Sequence, residues 1–61
     1  MPYPAQTKLD EVLREIKFRE RVYARLVGTG GMTEANAAKR IEIMKEIAED
    51  YRAVAKAEKL L

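Results

Sequence analysis

The chain has 61 residues and a formal net charge of +2, from 12 Lys and Arg against 10 Asp and Glu. This length allows one small domain, and so small a charge excess does not by itself indicate a nucleic-acid ligand. Cysteine and histidine are both absent, which excludes disulfides, catalysis by a thiol or an imidazole, and Cys/His zinc sites.

The N-terminal half is predicted to contain an extended leader and one helix. Residues 1–7 hold two prolines and form the leader, whereas residues 8–27 lack Gly and Pro and are rich in residues that favour helices. Thr7, followed three residues later by Asp10, is an approximate capping box that would start the helix. The apolar residues recur with the helical period and share one face: Leu9, Val12, Leu13, Ile16, Tyr23, Leu26 and Val27.

A glycine-rich turn separates this helix from a second one. Residues 28–32 contain Gly28, Gly30 and Gly31, and so supply a glycine where a left-handed residue commonly ends a helix. Glycine clusters also bind phosphates, but a dinucleotide fingerprint follows a strand, and here a helix precedes the cluster. A connection this short makes the two helices pack antiparallel, as an αα-hairpin.

Helix two is predicted over residues 33–60, with Thr33 as the N-cap and Glu34 in the first turn. Its main apolar stripe consists of Ala37, Ile41, Met44, Ala48, Tyr51 and Ala55. A second apolar flank runs beside this stripe and consists of Ile43, Ile47, Val54 and Leu61. Together they form an apolar sector that is wider than one neighbouring helix can cover.

These patterns predict an all-α protein in which residues 8–61 form one antiparallel helical-hairpin domain. Because helix one can cover only one of the two flanks, we expect two hairpins to pair about a two-fold axis into a homodimeric four-helix bundle with coiled-coil-like packing. The residues expected in the core or at the dimer interface are Ile41, Ile43, Met44, Ile47, Ala48, Tyr51 and Val54. A marginal monomer, a higher oligomer and a hairpin that folds only on a different protein are the alternatives.

Four residues on the outer side of helix one form a candidate binding face, here termed the basic-aromatic face: Arg14, Phe18, Arg21 and Arg25. An exposed ring among guanidinium groups suits base stacking combined with phosphate contacts, so RNA or DNA is one predicted ligand. The same residue types are enriched at protein–protein interfaces, and packing or contact with a protein is the interpretation that we favour.

Acidic residues are not expected to form a catalytic or metal site. One side of helix two carries Glu42, Glu46, Glu49 and Asp50. A convex helix face does not make oxygens converge as hard cations require, so we expect solvated charges, no metal and no cofactor. Glu20, which faces the apolar seam beside Arg19, is the only acid for which burial is plausible, and there we favour a structural ion pair over catalysis. With no nucleophile–base pair in the sequence, we expect no enzymatic activity.

Several short runs of the chain carry a resemblance, namely Arg14–Ile16, Phe18–Arg25, Gly31–Thr33, Ile41, Met44, Ile47, Asp50 and Tyr51. In these runs the chain resembles short uncharacterised helical proteins of proteobacterial genomes and their phages. Those proteins commonly have a proline at the position of Ala24. The resemblance implies a phage or prophage accessory protein, without an assigned activity. In architecture alone, the predicted dimer resembles the small RNA-binding helical-hairpin dimer that regulates plasmid copy number.

The function expected from these features is a small non-enzymatic protein–protein interaction or adaptor module. The alternative is an RNA- or DNA-binding hairpin dimer that uses the basic-aromatic face. No run of 18 apolar residues occurs, and the first seven residues lack the pattern of a secretory signal, so we expect a cytoplasmic protein without membrane contact.

Overall fold

The computed structural model describes residues 2–60, which form two helices and no strand. Helix α1 spans Ala5–Thr29, and helix α2 spans Glu34–Lys59. The backbone N–H of Ala5 donates to Oε1 of Glu58 at 3.1 Å, so the start of α1 lies against the end of α2. The helices are therefore antiparallel, and the prediction of an all-α helical hairpin is confirmed.

The start of α1 differs from the prediction. The helix begins at Ala5 rather than residue 8, and its N-cap is Pro4 in extended conformation, without a side-chain cap. The carbonyl of Pro4 accepts hydrogen bonds from the backbone N–H groups of Thr7 and Lys8, at 3.1 and 3.2 Å. The carboxylate of Glu58 satisfies the free N–H of Ala5, which leaves Thr7 inside the helix and not at its cap. The predicted leader over residues 1–7 is thus too long at its C-terminal end.

The end of α1 is also later than predicted, at Thr29 rather than residue 27. The residue in the left-handed conformation is Gly30, with a φ of 81°, and Gly28 lies within the helix. Gly31 donates its backbone N–H to the carbonyl of Leu26 at 2.8 Å, which closes the last turn. The predicted turn over residues 28–32 therefore begins two residues too early.

The start of α2 agrees with the prediction. The side-chain oxygen of Thr33, the N-cap residue, accepts a hydrogen bond from the backbone N–H of Asn36 at 3.1 Å. Glu34 provides an acidic side chain in the first turn, where its negative charge interacts favourably with the positive end of the helix dipole. The helix ends at Lys59, within one residue of the predicted boundary.

The core is a single layer of side chains between the two helices. Its buried centre is formed by Leu9 and Ile16 of α1 and by Ala48 of α2. The partly buried side chains packed around this centre are Val12, Leu13, Met44 and Tyr51. Within residues 2–60 no polar or charged side chain is buried. Over the same range, neither helix combines the length and the apolar character that crossing a membrane requires.

Candidate functional site

The residues predicted for the core or dimer interface divide into two groups in the structure. Ala48 is buried, and Ile41, Met44 and Tyr51 are half-buried against α1 or beside it. The other three, Ile43, Ile47 and Val54, are 48%, 37% and 49% exposed. We term these three residues the aliphatic stripe. Leu61, the fourth residue of that predicted flank, lies outside the described residues.

The aliphatic stripe faces away from the hairpin core because of its position around α2. At about 100° per residue, its side chains lie about 80–140° around the helix from Ala48 and Ala55, which face α1. Packing against α1 therefore covers the alanines and leaves the larger side chains in contact with solvent. A contiguous exposed apolar surface of this kind is typical of a binding site.

An aromatic cluster adjoins the stripe. Tyr51 lies between Ile47 and Val54 on the helix surface, and the Nζ of Lys8 lies 5.9 Å from the centre of its ring. Tyr51 and Lys8 also line a shallow depression of about 500 Å³, together with Tyr3, whose side chain is 72% exposed. The cluster extends the apolar surface towards the open end of the hairpin.

The basic-aromatic face is only partly assembled. Arg14, Phe18 and Arg21 line one shallow depression of about 560 Å³, together with Lys17 and Glu15, whereas the fourth predicted residue, Arg25, does not line it. Phe18 is 53% exposed, so its ring is accessible to a ligand. Arg14 pairs with Glu11 at 3.4 Å, and both side chains are largely exposed. This pair and Glu15 reduce the positive potential of the face.

Glu20, the candidate for a buried acid in an ion pair, is exposed and belongs to none of the ion pairs within residues 2–60. Arg19 instead donates through Nε to Oε1 of Glu15 at 2.8 Å, four residues earlier on α1. This hydrogen bond raises the pKa of the Arg19 guanidinium above its usual value. Glu20 is exposed and lines the rim of a groove.

That groove lies between the two helices near the turn and has a volume of about 700 Å³. Its floor is apolar and consists of Tyr23, Ala24, Val27, Ala37, Ala38 and Ile41, and its rim carries Glu20, Glu34, Glu42 and Lys45. Sequence reasoning missed this feature. The sequence feature that could have indicated the groove is the pair of small side chains Ala37 and Ala38 of α2. These alanines and Ala24 of α1 leave space between the two helices.

The acidic side of α2 is exposed, as expected of a solvated face. Glu42, Glu46, Glu49 and Asp50 are all exposed, and Glu49 accepts from Nε of Arg52 at 3.2 Å. Among residues 2–60, no three acidic side chains are grouped so that they could hold a metal ion. The exposed carboxylates therefore contribute charge to the surface of α2.

No protein-family model, curated protein or solved structure matches the chain. The resemblance to short helical proteins of proteobacteria and their phages thus stays a prediction. Among the surfaces described above, the aliphatic stripe departs furthest from an ordinary solvated helix face.

Proposed function

We propose that this protein is a non-enzymatic interaction module that pairs with a second copy through the aliphatic stripe, which gives a homodimeric four-helix bundle. The observation that carries this proposal is the exposure of Ile43, Ile47 and Val54 at helical spacing on one flank of α2. A helix needs a partner for each apolar flank, and α1 covers only the flank that contains Ala48. A second hairpin stacked on the stripe supplies the missing neighbour.

The size of the hairpin supports the same proposal. A chain of about 60 residues buries only about 60% of the surface that its unfolded form exposes, so its stability is marginal without another contribution. Disulfides are impossible here, and the buried centre of the core consists of a few side chains. Tight helix packing and oligomerisation are the remaining ways to stabilise so small a fold, and the small buried centre favours oligomerisation.

Sedimentation equilibrium of the wild-type chain and of an I43E/V54E variant tests this proposal. Glutamates on the stripe would bury charge against the apolar side chains of the partner, so we expect the wild type to be dimeric and the variant monomeric. Ala35 and Ala53 are exposed and lie about 80–120° around α2 from the stripe, so an A35E/A53E variant has the same added charge off the stripe and should remain dimeric. A wild-type chain that is a folded monomer over the whole concentration range contradicts the proposal.

The biological setting that we propose is an adaptor in the bacterial cytoplasm, in a phage or prophage context. The resemblance given above supports the phage context, and a chain without cysteine needs no oxidising compartment to fold. Affinity capture with the dimeric protein tests the adaptor role. Enrichment of one protein that the I43E/V54E variant also binds would place the adaptor surface outside the stripe, whereas enrichment of no protein contradicts the adaptor role.

A second candidate function is nucleic-acid binding by the basic-aromatic face. The observation that favours it is the half-exposed ring of Phe18 in one depression with Arg14 and Arg21. Gel shifts with structured RNA and duplex DNA at two salt concentrations test it, because phosphate contacts weaken steeply with salt. R21E should then abolish binding, whereas K56E, an equal charge change on an exposed residue of α2, should not.

A further inference from the structure

The surface around the aliphatic stripe has a symmetrical arrangement of chemistry along α2. Two isoleucines, Ile43 and Ile47, lie four residues apart. The basic Arg40 lies three residues before the first of them, and the acidic Asp50 lies three residues after the second. All four side chains are exposed and lie on adjoining turns of the helix. The midpoint of this arrangement is Lys45, which points to another side of α2.

The two charged ends of this arrangement have no partner of opposite charge on their own helix. The residues three and four positions from Arg40 carry no acid, and Asp50 lies one turn after the like-charged Glu46. The ion pairs formed within residues 2–60 join Arg14 with Glu11, Arg19 with Glu15 and Arg52 with Glu49. Neither Arg40 nor Asp50 belongs to them, so both charges are available to a second molecule.

A two-fold axis makes this arrangement complementary to itself only when the helices are antiparallel. An axis at the level of Lys45 places Ile43 opposite the partner's Ile47 and Arg40 opposite the partner's Asp50, each contact occurring twice. The charged pairs then lie about 7–8 Å from the axis along the helix. A parallel, in-register pair would instead place Arg40 on the partner's Arg40 and Asp50 on the partner's Asp50, which is repulsive.

We propose that two copies of this chain pair through antiparallel α2 helices centred at Lys45, with four isoleucines at the centre and an Arg40–Asp50 ion pair at each end. This inference rests on the proposed dimer and adds its direction and register. Val54 lies beyond the ion pairs, about nine residues from the axis, where the partner's α2 begins. The isoleucines provide the affinity, and the charges select the register, as charged residues do in coiled coils.

Charge reversal tests the register. R40D places two acids against each other at both ends of the interface, and D50R places two bases there, so each should raise the dissociation constant of the dimer by about five- to thirtyfold. The double variant R40D/D50R restores opposite charges in the antiparallel arrangement and should return the constant to within about twofold of the wild type. K56D, with the same charge change as R40D on an exposed residue off the stripe, should have no effect.

Engineered cysteines test the direction independently. Because the chain contains no cysteine, single-cysteine variants report one contact each. Under mild oxidation, a mixture of I43C and I47C should form the mixed disulfide faster than either variant forms its own, since the antiparallel register places these positions together. Faster coupling of I43C to itself contradicts the register.

The outcomes separate this inference from the function on which it rests. If the wild type is dimeric but R40D/D50R is as weak as the single variants, the register is wrong and the stripe dimer stands. If the wild type is monomeric at all concentrations, the dimer and its register both fail. Circular dichroism of every variant shows whether the hairpin itself is intact.

Discussion

Truncating one residue of the aliphatic stripe gives a quantitative test of its role. Ile43→Ala removes a side chain that is 48% exposed in the hairpin, so the substitution leaves the contact between α1 and α2 almost unchanged. Alanine also favours helix slightly more than isoleucine does. We therefore expect an intact hairpin with a weaker tendency to pair.

The expected weakening follows from the exposed fraction. Complete burial of an isoleucine side chain contributes about 1.5–3 kcal/mol, so burial of the exposed half of Ile43 contributes about 0.7–1.5 kcal/mol. Two-fold symmetry repeats the loss in the second chain, for a total of about 1.5–3 kcal/mol in the dimer. The dissociation constant should rise by about 10- to 150-fold.

Sedimentation equilibrium at several chain concentrations measures this constant directly. Leu60→Ala is the matched control, because Leu60 is 80% exposed at the end of the same helix but lies off the stripe. The control should change the constant by less than about twofold, since a single exposed side chain outside the interface contributes little. Equal effects of the two substitutions would refute the reasoning, because the exposed leucine would then matter as much as the stripe.

Three further predictions concern the hairpin and are checked by urea unfolding, followed by circular dichroism at one fixed chain concentration. Gly30→Ala should lower the free energy of unfolding by about 1 kcal/mol, because Gly30 has a φ of 81°. Gly28→Ala should raise it by about 0.5–1 kcal/mol, because Gly28 lies inside α1 and the added carbon has open space around it. Thr33→Ala removes the side-chain cap of α2 and should cost about 1 kcal/mol. Ile16→Ala empties the centre of the core, where Ile16 is 6% exposed, and should cost about 2–5 kcal/mol. Equal effects of the two glycine substitutions, or an unchanged midpoint for either other variant, contradict these assignments.

The sequence predicted those features of the fold that depend on neighbouring residues. Helical periodicity located both helices, and the cap at Thr33 was predictable because its hydrogen bond reaches only to Asn36. The start of α1 was not predictable in this way, since Glu58, 53 residues away, accepts the hydrogen bond of Ala5. Contacts between residues so distant in sequence exist only once the hairpin has formed.

The candidate surfaces, like the helices, were predicted only as far as helical periodicity determines them. The periodicity of α2 placed Ile43, Ile47 and Val54 on a flank of their own, and their exposure in the hairpin agrees with that placement. The burial considered for Glu20 was wrong because a groove opens between the helices at this level, and Glu20 lines the groove. Periodicity defines which residues share a face, but not which of two adjacent faces the other helix covers.

The distribution of side-chain sizes around α2 links the fold to the proposed assembly. The positions that face α1 include Ala48 and Ala55, whose small side chains allow the two helix backbones to approach closely. The larger side chains of Ile43 and Ile47 lie about 80–140° around the helix from these alanines and contribute little to the hairpin core. A hairpin that functioned alone would gain more by placing its isoleucines where the alanines are. Helix α2 therefore has the residue distribution that the proposed dimer requires, with small side chains towards α1 and larger ones on the flank that we propose a second copy covers.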